Sequence, residues 1–133
     1  MILYVASPYD TAPEVRELHK RLTTLGIAFT SMWAEQANGA EDFSKFSPEK
    51  LKDIAEENDA HVRAADAVLV LSRETGGRET YAEARYALSQ QKHVFWVGKL
   101  TLSAWRDGVT RCENIDDALH KMTERCHSGS SLP

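Results

Sequence analysis

A chain of 133 residues with 42% hydrophobic and 27% charged content is long enough to bury one core without disulfide or metal staples. Sixteen basic against twenty acidic residues leave a formal charge of -4 with no basic run, which argues against a nucleic-acid polymer or an anionic membrane as partner. Cys112 and Cys126 are too few for a disulfide framework and no apolar run exceeds strand length, so a reduced, cytoplasmic protein that does not span a bilayer is expected.

Met1-Ile2-Leu3-Tyr4-Val5 opens on a strand-like pattern with no basic flank, so no signal peptide is expected. The strand, Ile2 to Ala6, gives way to the polar loop Ser7-Pro8-Tyr9-Asp10-Thr11, where Asp10 or Thr11 is placed to cap a helix with Pro13 in its first turn. Val15, Leu18, Leu22 and Leu25 recur at three- and four-residue steps, predicting an amphipathic helix from Pro13 to Leu25 that Gly26 ends. Ile27 to Thr30 reads as a second strand. Ser31 to Phe46 has no period and reads as an irregular lid or binding loop carrying Trp33 and Phe43. Ser47-Pro48-Glu49 is a helix start, and the helix should run to about Ala64 with Leu51, Ile54, Ala55, Val62 and Ala65 facing inward.

Ala67 to Leu71 reads as a buried third strand, and it leads into the stretch that organises the chain. Ser72-Arg73-Glu74-Thr75-Gly76-Gly77 breaks the strand with a glycine turn, and helix formers continue from Arg78 to Gln91. A strand, a glycine turn and a helix put the turn at the carboxyl end of a parallel sheet, where open α/β folds bind ligands. Glu83 lies in the first turns of that helix and is the catalytic candidate. His93 to Val97 is a fourth strand, Val109 to Cys112 a short fifth, and Ile115 to Arg125 a last helix with Ile115, Ala118, Leu119 and Met122 on one face. The five histidines lack metal spacing and are expected at the surface. Residues 1–126 are expected to form a single domain, with 127–133 a disordered, Ser/Gly-rich tail. Alternating strands and helices predict a parallel sheet covered on both faces.

Four segments, in this order, resemble the nucleoside 2-deoxyribosyltransferase family and the related 2′-deoxynucleoside 5′-monophosphate N-hydrolases. They are Ile2-Leu3-Tyr4-Val5-Ala6-Ser7-Pro8-Tyr9, then Asn58-Asp59 followed by Ala65-Asp66-Ala67-Val68-Leu69-Val70, then Tyr81-Ala82-Glu83-Ala84-Arg85-Tyr86-Ala87-Leu88, and Lys92-His93-Val94-Phe95-Trp96-Val97. The resemblance implies a flavodoxin-like (Rossmann-like) three-layer sandwich with a parallel sheet of about five strands. It implies cleavage of the N-glycosidic bond of a deoxynucleoside or deoxynucleotide with no cofactor and no metal, in a homo-oligomer. By the same resemblance Glu83 is the nucleophile, Tyr4 positions it, Asp59 contacts the substrate and Tyr9 stacks on the base. Ser7, Gly77 and Glu79 join them as expected substrate-binding residues.

Those residue types suit the chemistry. Departure of the base develops positive charge at C1′, and a carboxylate beneath the ring captures it as a glycosyl ester. Two positions depart from the family pattern. Where the transferases carry an aspartate and the monophosphate hydrolases a serine, six residues before the glutamate, this chain has Gly77; Glu79, one helical turn from Glu83, is a candidate substitute. Where the hydrolases place a phosphate-binding arginine in the first loop, this chain has Asp10, although Ser7, Arg78 and helix amides remain to hold an anion.

Each residue also has a bland reading. Glu83, Asp59 and Glu79 are ordinary helix carboxylates otherwise, Tyr4 is core packing, and Tyr9, Trp33 and Phe43 are loop anchors. Asp66, just before a buried strand, reads as structural, bonding nearby backbone amides. Hydrolysis of the same bond, a non-catalytic nucleotide-sensing module and a glycosidase acting on a ribose dinucleotide are the alternatives to base transfer.

Overall fold

Long apolar runs such as Ala67–Ser72 and the first four residues of His93–Gly98 are buried throughout, the pattern of strands covered on both faces. The computed structural model, which describes residues 1–37, 41–73 and 77–127, assembles them into one parallel sheet. Strands β1 (Ile2–Ala6), β2 (Ala28–Phe29), β3 (Ala67–Ser72), β4 (His93–Gly98) and β5 (Val109–Cys112) lie in the order β2-β1-β3-β4-β5. That is the flavodoxin-like order, with its reversal between β1 and β3.

Helices α1 (Ala12–Thr24), α2 (Trp33–Gln36), α3 (Pro48–Ala64) and α4 (Arg78–Ser89) lie between strands, a 3-10 turn at Leu102–Trp105 joins β4 to β5, and α5 (Ile115–His127) follows β5. Right-handed crossovers that step in opposite directions from the reversal put α1 on one face and α3 and α4 on the other. An ion pair between Arg21 and Asp116 joins α5 to α1, while α3 and α4 pack together over β1 and β3. The crevice at the carboxyl ends of β1 and β3 therefore opens between the β1–α1 loop, α3 and the start of α4.

Local chemistry explains most of the boundaries. Ser47 accepts a hydrogen bond from the Lys50 amide at 3.1 Å and Pro48 opens α3, as expected. Asn114 and Asp117 cap α5 reciprocally, with the Asp117 amide donating to Asn114 at 2.8 Å and the Glu113 amide donating to Asp117 at 2.9 Å. Asp66 takes the Ile2 amide at 2.7 Å, the structural role read for it.

Several expectations need correction. The second strand is two residues, not four, because only Ala28 and Phe29 find ladder partners on the end of β1. Thr11 occupies the cap position of α1, but its hydroxyl bonds the Pro8 carbonyl and Ser7 instead of a helix amide. The segment read as irregular contains α2, where Trp33 is buried and its indole donates to the Val5 carbonyl at 2.9 Å. His19 and His93 are buried, not surface residues: His19 stacks on Phe29 with ring centroids 3.7 Å apart, and His93 shares a 2.6 Å hydrogen bond with Thr110. Burial holds both imidazoles neutral, His93 down to about 4. The expected tail lies outside the described residues except for His127, which closes α5.

Candidate active site

The side chain of Tyr4 leaves β1 toward α4 and is fully buried. Its hydroxyl donates to the Glu83 carboxylate, which α4 carries in from above. Two features fix that helix. Gly77 precedes its first turn with φ +94°, a left-handed backbone that a side chain resists, and Gly76 of the expected turn lies outside the described residues. Four residues on, the Tyr81 hydroxyl is 3.0 Å from Ser72 at the end of β3, and the Tyr81 ring stacks on Trp96 with centroids 5.7 Å apart. The start of α4 is thus pinned to the carboxyl ends of β3 and β4.

Glu83 sits where two arms of one cleft meet. The first, of about 430 Å³, runs between Tyr9, Phe43 and the α3 wall of Leu51, Ile54, Ala55, Asn58 and Asp59. The second, of about 510 Å³, runs along the β1–α1 loop past Ser7 and Asp10 to Gly77, Arg78 and Thr80 at the start of α4. Glu79, Tyr9 and Phe43 border both. The Tyr9 ring is held by Phe43 edge-on at 4.7 Å and by Trp33 at 5.0 Å, with the Asn58 side chain near its hydroxyl. A flat apolar arm beside a polar one suits a ligand with a ring at one end and hydroxyls at the other.

Burial of the Glu83 carboxyl raises its pKa to about 8; the Tyr4 hydrogen bond opposes the rise, and the nearby charges of Glu79 and Asp59 add to it. Desolvation likewise holds the Tyr4 phenol well above its ordinary value, reinforced by the carboxylate beside it. Tyr4 is therefore a hydrogen-bond donor throughout the neutral range. A carboxyl shifted this far, in a cleft and with Tyr4 as its one donor among the described residues, is a candidate functional group.

Among the solved structures that match are two that cover most of the chain. A 2-deoxyribosyltransferase from Bacillus psychrosaccharolyticus superposes with a TM-score of 0.70 at 18% identity, covering 89% of this chain and 90% of that one. The chain has the fold of a 2-deoxyribosyltransferase. Clostridium botulinum CMP N-glycosidase shares it too, with a TM-score of 0.63 at 10% identity over 92% of this chain and 99% of that one. No protein-family model and no curated protein matches.

On this fold the residues singled out from sequence come together. Tyr4 lies behind Glu83, while Asp59, Glu79, Tyr9, Ser7 and Gly77 border the cleft in front of it. Ser7 is buried with its hydroxyl 2.5 Å from that of Thr11, so it shapes the first loop as well as facing the cleft. Trp33 buttresses Tyr9 from below. Leu51, Ile54 and Ala55, expected in the core, are instead exposed or half-buried along the cleft, because α3 packs on the sheet mainly through its last turns at Val62 and Ala65. Arg85 is exposed, and Tyr86 accepts a 2.9 Å hydrogen bond from Arg63.

Sequence reasoning missed Asn58, which borders the first arm beside Tyr9, and it missed Thr80. The Thr80 hydroxyl is buried without a hydrogen-bond partner among the described residues, on a residue that borders the second arm. No periodicity would have marked it, since threonine in a first helical turn is ordinary. A second constellation looks catalytic and is not. His19 bonds Ser31 at 2.8 Å and lies 3.7 Å from Glu35, but Ser31 is wholly buried and no substrate carbonyl reaches it.

Proposed function

We propose that this protein is a nucleoside 2-deoxyribosyltransferase-like enzyme that cleaves the N-glycosidic bond of 2′-deoxynucleosides through a covalent glutamyl-deoxyribose intermediate on Glu83. The observation that carries the proposal is the Tyr4–Glu83 hydrogen bond at the junction of the two cleft arms. It holds the carboxylate in one rotamer with one oxygen occupied, leaving the other to face a sugar.

In the first step a Glu83 oxygen bonds to C1′ as the C1′–N bond breaks, and the bonding pair leaves with the base. The base takes a proton on a ring nitrogen, and Asp59 on α3 is the proposed donor. In the second step a free base attacks C1′ from the other face, gives its proton to the Asp59 carboxylate left by the first step, and displaces the Glu83 carboxylate. Two inversions give retention. Developing positive charge at C1′ favours the ionised carboxylate that burial alone disfavours, so the site stabilises the transition state more than the free enzyme. Tyr9, backed by Phe43 and Trp33, is the proposed surface for the base.

Interception of the ester by water is the second reading, supported by the likeness to a CMP N-glycosidase. Incubating a deoxynucleoside with and without a second free base separates the two: a new nucleoside indicates transfer, and free deoxyribose indicates hydrolysis. Intact-protein mass spectrometry should show one deoxyribosyl unit added at Glu83 and none in Glu83→Ala. Tight ligand binding with no cleavage, unchanged in Glu83→Ala, would replace both readings with a sensing module.

A further inference from the structure

Resting on the glycosyl-transfer reading above, we infer that Arg16 and His19 are positioning residues: from α1 they clamp the two ends of α2 and so fix the Trp33–Tyr9 wall against which the base packs. A helix of four residues does not persist on its own hydrogen bonds, because nucleation costs more than a single turn returns. Its last carbonyls also lack partners within the helix. Two side chains on one face of α1 supply what is missing. Arg16 is half-buried, and its Nη1 donates to the Ala34 carbonyl at 2.9 Å and to the Ala37 carbonyl at 2.6 Å, closing the carboxyl end of α2 with a cation. His19, one turn further along α1, shares a 2.8 Å hydrogen bond with Ser31 just ahead of α2, and both residues are buried. The His19 ring is itself held flat on Phe29 of β2, with centroids 3.7 Å apart.

Trp33 lies between the two held ends. Its indole donates to the Val5 carbonyl at 2.9 Å, and its ring meets that of Tyr9 with centroids 5.0 Å apart. Tyr9 in turn borders the first arm of the cleft. Neither Arg16 nor His19 is among the described residues lining either arm, so their influence on a substrate runs through α2. With the clamp released, Trp33 and Tyr9 sample several positions, and a base has to order them before it binds. The Tyr4–Glu83 pair stands on the other side of the cleft and keeps its own supports. Release therefore weakens binding of ground and transition states alike, which raises KM and leaves kcat in place.

Three variants test the clamp. Arg16→Met keeps the apolar stem and removes both donors, Arg16→Lys keeps a cation with donors, and His19→Phe keeps the stack on Phe29 and removes the bond to Ser31. Native-state hydrogen exchange reads α2 directly through the amides of Gln36 and Ala37, which bond the Met32 and Trp33 carbonyls. In Arg16→Met these amides should speed up about tenfold more than those of β3 and β4. KM for the common 2′-deoxynucleosides should rise about threefold to tenfold with kcat within about twofold, and Arg16→Lys should recover most of the loss. His19→Phe should give the same pattern, and it carries the test if Arg16→Met does not fold. Faster exchange in α2 with KM unchanged, or equal acceleration throughout the sheet, overturns the inference while leaving glycosyl transfer intact. Should wild type cleave no deoxynucleoside, the glycosyl-transfer reading fails separately, and calorimetric binding of deoxyadenosine and thymidine decides the clamp. Binding weakened about threefold or more in Arg16→Met upholds it, and equal binding, or none to wild type, overturns it.

Discussion

Tyr4 and Glu83 lie 79 residues apart in sequence and meet as donor and acceptor at the centre of the cleft. One comes from a central strand and the other from the helix that follows the neighbouring strand, so the bond spans the reversal point of the sheet. Its strength depends on both elements being held. For α4 that hold comes from Tyr81 on Ser72 and Trp96, and for β1 from burial of Leu3 to Ala6 between β2 and β3.

Tyr4→Phe should therefore separate positioning from packing. The ring volume stays, so the fold should persist, but a buried carboxyl loses its donor at a cost of about 1–3 kcal/mol. Because the hydrogen bond lowers the Glu83 pKa, its loss should push that pKa above the wild-type value of about 8. The ascending limb of kcat/KM against pH should lie near 8 in wild type and shift upward in Tyr4→Phe, with activity at neutral pH falling by roughly tenfold to a hundredfold. A limb that stays in place would mean that Tyr4 does not act on Glu83.

Stability should carry the same signature. With its folded pKa raised from 4.5 to about 8, Glu83 makes the folded state bind more protons than the unfolded chain across that window. Its contribution to stability is greatest below pH 4.5 and is lost as pH rises to about 8. Glu83→Gln removes the titration. Denaturant unfolding should show the variant gaining on wild type between pH 5 and 8, by up to about 1.4 kcal/mol per pH unit. His93, held neutral, acts in the opposite sense between its ordinary 6.5 and about 4, so the difference between the two proteins isolates Glu83 better than either curve. A difference flat with pH would show that Glu83 is ionised throughout.

Two glycines near the site should respond unequally. A Cβ on Gly98 would collide with the Ser72 carbonyl on the adjacent strand, and its φ of +102° is also left-handed. Gly98→Ala should cost about 3 kcal/mol or more, because rigid backbone must move. Gly77 has φ +94°, but among the described residues a Cβ there would first meet the Tyr81 ring, at an ordinary 3.5 Å. Gly77→Ala should cost about 1–2 kcal/mol, the left-handed penalty alone. Thermal unfolding of the two variants ranks them directly, and equal losses would refute the distinction.

How much of this was legible in the sequence follows from which forces act locally. Strands β1, β3 and β4 were legible because parallel strands buried on both faces are written as unbroken apolar runs. Capping chemistry at Ser47 and Pro48 marked the start of α3 for the same local reason. Edge strand β2 was read too long, since its length depends on pairing with β1 and not on its own residues. Four-residue α2 is too short to show a period, and it forms because the Trp33 indole finds the Val5 carbonyl. Glu83 came from its place after a strand and glycine turn, strengthened by the resemblance, while the Tyr4–Glu83 contact is long-range and no periodicity encodes it. The helical spacing of Leu51, Ile54 and Ala55 was read correctly as an apolar face, but pattern alone does not say whether such a face meets a core or an empty cleft.

That last ambiguity yields a test. If the first half of α3 is a cleft wall, its apolar residues contribute to ligand binding and little to folding. Leu51 is 39% exposed, whereas Val62, three turns along the same helix, is wholly buried. Leu51→Ser should change stability by no more than about 1 kcal/mol, and Val62→Ala should cost about 2 kcal/mol by opening a cavity under the helix. On activity the order should reverse. Leu51→Ser should raise KM for a deoxynucleoside severalfold with kcat little changed, the sign of binding lost equally from ground and transition states. Val62→Ala, once folded at low temperature, should keep a near-normal KM. If Leu51→Ser instead destabilised the protein as much as Val62→Ala, the first arm of the cleft would be closed in solution, and the base would have to bind elsewhere.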